Sequence, residues 1–341
     1  MKNWIKTGLI CAAAIATPFA AQADATGCDA GEIVVKFTHV TAERGHPKGE
    51  AAAALQQRVN AELDGRACME VYPNSTLYAD NDEMLQALLD GEVHLAAPSF
   101  SKLKRISPQV QLFDLPFLFQ DLEHVINFTY TDEAVDLLAA GQSSGFHGLA
   151  YWMNGMSQMT AVREVRTPAD LGGLHFRMQG SAVEQAMFER MGATGEKLAF
   201  SKVYDALASG QVTAQANTWS NIYTKSFYTV QDSVTETNHV VLAYMVLTGD
   251  RWWKSLPDDV RTDLELILLE VTHERNRFAY QLSELNRMNV VQDGGRVVNL
   301  SDGERSQWVN TLGPIWAQFE NEIGPALIAS AVAAGTGTSG F

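Results

Sequence analysis

The stretch Gly173-Leu174-His175-Phe176-Arg177-Met178-Gln179-Gly180-Ser181 puts an arginine into a short strand and follows it at once with Ser181, a residue type that caps helix N-termini. Open α/β sheets bind ligands outside the carboxyl ends of their strands, and the first N–H groups of the following helix favour an anion. An arginine between Phe176 and Met178 is otherwise a surface residue or half of an ion pair. Its guanidinium matches a carboxylate with two parallel hydrogen bonds, which a lysine does not reproduce.

Outward from this unit, strands and helices alternate. Residues 32–40 read as an apolar strand, followed by a helix that Pro47 opens and Gly65 closes, and by a strand over 68–72. Asp80 and Glu83 form a capping box. The run Asp80-Asn81-Asp82-Glu83 is not a calcium loop, because Met84 stands where a third ligand belongs and no glycine follows. Buried strands are expected over 93–97 and 146–151. Helices are expected from Leu122, from Ser181 as N-cap and near Ser201, with a long one over 257–289. The alternation predicts an α/β chain with parallel sheets flanked by helices.

Residues 1–23 hold Lys2 and Lys6, an apolar run over 8–20 and Ala21-Gln22-Ala23, the three parts of a secretory signal peptide. The run is shorter than the roughly 20 residues a bilayer crossing takes. Cleavage before Asp24 leaves Cys28 and Cys68, and an even pair in an oxidising compartment reads as a disulfide. One precedes the first strand and the other opens the second; the alternative is a buried thiol at 68 and a mobile one at 28. Losing the two signal lysines takes the net charge from −15 to −17, which excludes nucleic acid and anionic membrane surfaces as partners. With 46% hydrophobic and 19% charged residues, the chain has material for two domains, ending in a flexible tail over 331–341.

Catalytic patterns are missing. The eight histidines are scattered, without H-E-x-x-H or paired Cys/His spacing, so no metal site is expected. There is no Gly-x-Ser-x-Gly elbow, phosphate loop or dinucleotide fingerprint, and no cofactor is expected. Acidic residues are abundant, but nothing singles out a catalytic pair.

Ordered motifs surround Arg177: Tyr151-Trp152-Met153-Asn154-Gly155-Met156-Ser157-Gln158-Met159, then Arg166-Thr167-Pro168-Ala169-Asp170-Leu171, and Leu198-Ala199-Phe200-Ser201-Lys202-Val203-Tyr204. Gln215-Ala216-Asn217-Thr218-Trp219-Ser220-Asn221 and Thr237-Asn238-His239 follow, with Phe113-Asp114-Leu115-Pro116-Phe117-Leu118-Phe119 upstream. From about residue 33 to 319 the chain resembles the substrate-binding proteins of TRAP transporters, in their C4-dicarboxylate-binding (DctP-type) branch. The resemblance implies a two-lobed periplasmic-binding-protein fold, with a ligand cleft between the lobes and a long helix spanning them. Lobe I is expected over 29–154 plus 243–282 and lobe II over 155–242 plus 283–330. It further implies a periplasmic monomer that hands a small organic acid to a membrane permease.

By the same resemblance, Arg177 is the carboxylate-binding arginine, and Asn217, forty residues on, donates its amide to the same carboxylate. Phe200 matches a pocket aromatic, and Ser99 matches a ligand-facing position of the opposite lobe. Asn154, His39, Trp219 and Tyr244 are candidates either for ligand contact or for packing and hinge roles; His239 reads as structural. Ser157 stands where many relatives carry a basic residue. Ala216 and Thr218 replace the Glu and Pro of a usual Gln-Glu-Asn-Pro. These departures leave a sugar acid or other monocarboxylate in competition with succinate, malate or fumarate. Readings from other classes are a secreted two-lobed hydrolase and a sensor subunit that binds a protein.

Overall fold

The computed structural model describes residues 27–79 and 81–335; the expected signal peptide, Asp80 with its half of the capping box, and residues 336–341 lie outside them. In chain order the elements are β1 (Ile33–Thr38), α1 (Pro47–Glu62), β2 (Ala67–Tyr72), α2 (Asn81–Asp90), β3 (Leu95–Ala96), α3 (Leu122–Phe128), α4 (Asp132–Ala139) and β4 (Phe146–Ala161). Then come β5 (His175–Met178), α5 (Ala182–Arg190), β6 (Thr194–Lys197), α6 (Val203–Ala208), β7 (Ala214–Thr218), α7 (Trp219–Thr224), β8 (Ser233–Glu236) and β9 (Val241–Gly249). The chain ends with α8 (Asp250–Ser255), α9 (Asp258–Gln292), β10 (Val297–Asn299), α10 (Asp302–Leu312), α11 (Trp316–Ile323) and α12 (Pro325–Ala334).

Local signals act as expected. Pro47 occupies the first turn of α1, and Ser181 caps α5 by accepting from the Val183 N–H at 3.2 Å. The strands β1, β2 and β3 are mutually parallel, as are β5, β6 and β7. The sheet as a whole is mixed, not parallel throughout. Strand β4 pairs antiparallel with β9 from Phe146 to Met156, then antiparallel with β7 from Ser157 to Ala161. Parallel units close on themselves through helices, but passage between the two units takes single strands running in opposite directions, and these pair antiparallel. Residues 146–161 and 241–249 are those crossings, and the first is far longer than the strand expected over 146–151.

Helix α9 runs for 35 residues, about 50 Å at 1.5 Å per residue. Its buried positions Val260, Leu264, Ile267, Leu268 and Val271 recur every three or four residues and pack on α1 and β4; farther along, Val290 packs with Trp219 and Ile222 of α7. One helix therefore braces both units. No helix among the described residues is long and apolar enough to cross a membrane. The expected tail begins too early at residue 331: α12 runs to Ala334, Ala331 is fully buried, and its carbonyl accepts a hydrogen bond from His124 Nε2 at 2.7 Å. An alanine-rich run that docks on α3 and α4 stays helical where the same residues undocked would fray.

Cys28 and Cys68 form the expected disulfide, with Cα atoms 5.4 Å apart, tying the segment before β1 to β2. It closes a loop with a sequence separation of 40. Replacing both cysteines by serine is expected to lower unfolding free energy by about 2–4 kcal/mol. Urea denaturation of oxidised and doubly substituted protein checks this, and native protein should take up no alkylating reagent before reduction.

Candidate functional site

A small cavity lies where the two parallel units face each other across the crossing strands. Arg177, third residue of β5, reaches it from one side and is 2% exposed. Its Nε and Nη2 donate to the Leu198 carbonyl at 3.2 and 3.1 Å, which holds one edge of the guanidinium and leaves the terminal Nη1/Nη2 edge for the cavity. Burial draws its pKa down to about 10, opposed by the nearby Glu184 carboxylate, so it remains a cation at neutral pH. Glu184 in turn accepts from the Gln179 and Gly180 N–H groups at 2.8 and 3.1 Å. The Phe200 ring covers the guanidinium, its centroid 5.9 Å from Cζ.

Asn217 sits at the end of β7 beside this arginine. Its Oδ1 accepts from the Thr218 N–H at 3.2 Å and from Asn221 Nδ2, so the amide is held with its N–H2 end as the remaining donor. On the opposite wall stands Lys48, in the first turn of α1 and 2% exposed. Its ammonium donates to the Ala97 carbonyl at 2.9 Å and lies 3.9 Å from the centre of the Tyr244 ring. Burial pulls its pKa down to about 7. Ser99 Oγ donates to Gln179 Oε1 at 2.7 Å, and Lys102 Nζ donates to the Gln179 carbonyl, so wall touches wall and the cleft is closed.

Of the residues expected from sequence, Ser99, Arg177, Phe200, Asn217 and Tyr244 line this cavity. His39, Asn154, Ser157 and Trp219 stand behind the lining. His39 is buried next to Thr41, at 3.1 Å from its Oγ1, and desolvation together with Lys48 takes its pKa to about 3. Asn154 donates to the Tyr244 hydroxyl at 2.7 Å and accepts from Ser220 at 2.6 Å. Ser157 is opposite Thr218 in the β4–β7 ladder, and Trp219 packs with Ile222, Val234 and Val290. His239, 2.7 Å from Thr237 Oγ1, takes the structural place expected of it.

Lys48, Lys102, Gln179 and Asn221 line the cavity and were not singled out from sequence. For Lys48 a signal existed: a cation in the first turn of a helix opposes the macrodipole and calls for another reason to be there. Among the described residues lining the cavity there are three cations and no carboxylate. Such a site binds an anion.

The profile of the bacterial extracellular solute-binding protein family 7 (DctP) matches residues 37–322. The chain is 47% identical over 310 residues to the C4-dicarboxylate-binding periplasmic protein DctP of Vibrio cholerae, covering 91% of this chain and 93% of that one. It superposes on a TRAP periplasmic solute-binding protein of Shewanella oneidensis with bound succinate at a TM-score of 0.86, with 40% identity and 89% and 99% of the two chains covered. A Pseudomonas aeruginosa counterpart with bound L-malate gives a TM-score of 0.82, 40% identity, and 84% and 99% coverage. Matched over most of its length in sequence and in fold, the chain belongs to the bacterial extracellular solute-binding protein family 7, as a DctP-type solute-binding protein of TRAP transporters.

Proposed function

We propose that the protein captures a C4-dicarboxylate in the periplasm by closing lobe I, residues 29–154 plus 243–282, onto lobe II, residues 155–242 plus 283–330, and delivers it to the membrane permease subunits of a TRAP transporter. The observation that carries this reading is the placement of buried Arg177 and buried Lys48 on facing walls of one cavity whose lining has no acid. A buried cation is costly without a partner, and two of them are most economically balanced by a ligand with two carboxylates. Ser157 brings no charge to the site, and Lys48 supplies the second cation from the other lobe. Arg177 and Asn217 would hold one carboxylate, Lys48 with Ser99 the other, and Phe200 and Tyr244 the carbon chain between. Both walls come from one chain, so the site is complete in a monomer.

Calorimetry with succinate, L-malate and fumarate against galactonate and gluconate tests this. Dicarboxylates are expected to bind at least about tenfold tighter than the sugar acids, a difference of 1.4 kcal/mol. A protein that binds the sugar acids and ignores the dicarboxylates overturns the proposal.

A further inference from the structure

His46 is fully buried at the N-terminus of α1, and the expected roles of neighbouring residues give it none. Its Nδ1 accepts the Lys48 backbone N–H at 3.1 Å, capping the helix. A ring nitrogen that accepts carries no proton, so in the neutral ring the proton is on Nε2. Protonating both nitrogens would set N–H against N–H beside the Lys48 ammonium, and burial and Lys48 both hold the pKa well below its usual value. Around Nε2 stand Asn221 Oδ1 at 3.0 Å, Asn154 Nδ2 at 3.3 Å and the Tyr244 hydroxyl at 3.4 Å. Asn154 Nδ2 is itself a donor, already bonded to the Tyr244 oxygen at 2.7 Å. The nearest acceptor is Asn221 Oδ1.

Accepting there turns the Asn221 amide so that Nδ2 donates to Asn217 Oδ1. Asn217, its oxygen engaged, is left with Nδ2–H2 as the donor for the cavity. Every bond in this chain has its direction set by the one before it, beginning at a helix cap in lobe I and ending at the ligand site in lobe II. We propose that His46 is a positioning residue whose Nε2–H, relayed through Asn221, orients the Asn217 amide toward the ligand carboxylate and couples that orientation to lobe I. The inference rests on the carboxylate-binding reading above.

Two substitutions separate the relay from the cap. In His46→Asn the side-chain oxygen falls near the place of Nδ1 and asparagine is a strong N-cap, so the helix keeps its cap and Asn221 loses its donor. In His46→Gln the amide nitrogen falls near the place of Nε2, so the donor stays and the cap goes. Succinate calorimetry, with urea denaturation alongside, is expected to show about a tenfold loss of affinity in His46→Asn at nearly unchanged stability. His46→Gln should bind within about threefold of the parent while being less stable. Placed in an Asn217→Ala background, His46→Asn should cost no further affinity. Parental affinity in His46→Asn, or an equal loss in both backgrounds, overturns the relay. Failure of the parent protein to bind any dicarboxylate refutes the functional reading instead. Nitrogen-15 spectra of the His46 ring read the relay without ligand: Nε2 should be protonated and Nδ1 bare from pH 8 to about 6, and the reverse tautomer overturns it.

Discussion

Arg177→Ala is expected to weaken dicarboxylate binding on the order of a hundred- to a thousand-fold or more. The residue is buried with its Nε/Nη2 edge fixed on the Leu198 carbonyl, so the terminal edge is pre-set before ligand arrives. Removing one member of a buried ion pair costs roughly 3–5 kcal/mol, because the other charge is left in the interior unpaired. At about 1.4 kcal/mol per factor of ten, that is the loss given. Arg177→Lys should regain part of the affinity, since the ammonium keeps the charge and loses the fork. The fold should survive both changes. Glu184, whose charge acts on Arg177, keeps the Gln179 and Gly180 N–H groups as partners. Because closure is favoured only to the extent that ligand binds the closed form better, the alanine variant should scatter X-rays as an open molecule at ligand levels that close the parent. A loss below about fivefold with closure intact would show that the acid is held elsewhere.

Lys48→Met should fall almost as hard, but selectively. Methionine keeps most of the aliphatic stem in its packed place and removes the charge that would face the second carboxylate. Dicarboxylate affinity is expected to drop about a hundred-fold or more, and affinity for a monocarboxylate held by Arg177 and Asn217 by less than about tenfold. Equal losses for both ligand classes would remove Lys48 from the ligand. The same residue sets a pH dependence whose sign is fixed. Burial between the touching walls puts the Lys48 pKa at about 7, and a bound carboxylate raises it, because the ammonium is the form it attracts. Below about pH 7 the cation is already present and affinity is level. Above it binding has to take up a proton, so affinity falls by up to about tenfold per pH unit until the raised pKa is reached. Titration at pH 8 in two buffers of different ionisation enthalpy should show uptake approaching one proton, absent in Lys48→Met.

Sequence alone determined what depends on a few neighbouring residues. Pro47 and Ser181 placed helix starts, strand–helix alternation gave the α/β class, and the cysteine pair gave the bridge. Arg177 was legible because a guanidinium in a strand end followed at once by a capped helix is a local pattern with a chemical consequence. What tertiary structure decided is everything that depends on residues far apart in the chain. Lys48 reads as a first-turn lysine at odds with the helix dipole, and its partners appear only when the end of β3 brings Ala97 and β9 brings Tyr244 around it. His46 stands next to Pro47 with no role legible in the sequence, and only the fold brings Asn221, 175 residues away, to its Nε2. Asn154, Ser157 and Trp219 lie in motifs of the right kind, yet strand register and packing turn them away from the cavity. Residues 331–334 look like a tail by composition and become helix because α3 and α4 offer them a surface. Propensity and periodicity report which face of an element is buried; which distant side chain it meets there is settled only when both lobes pack along one shared helix and the strands that cross between them.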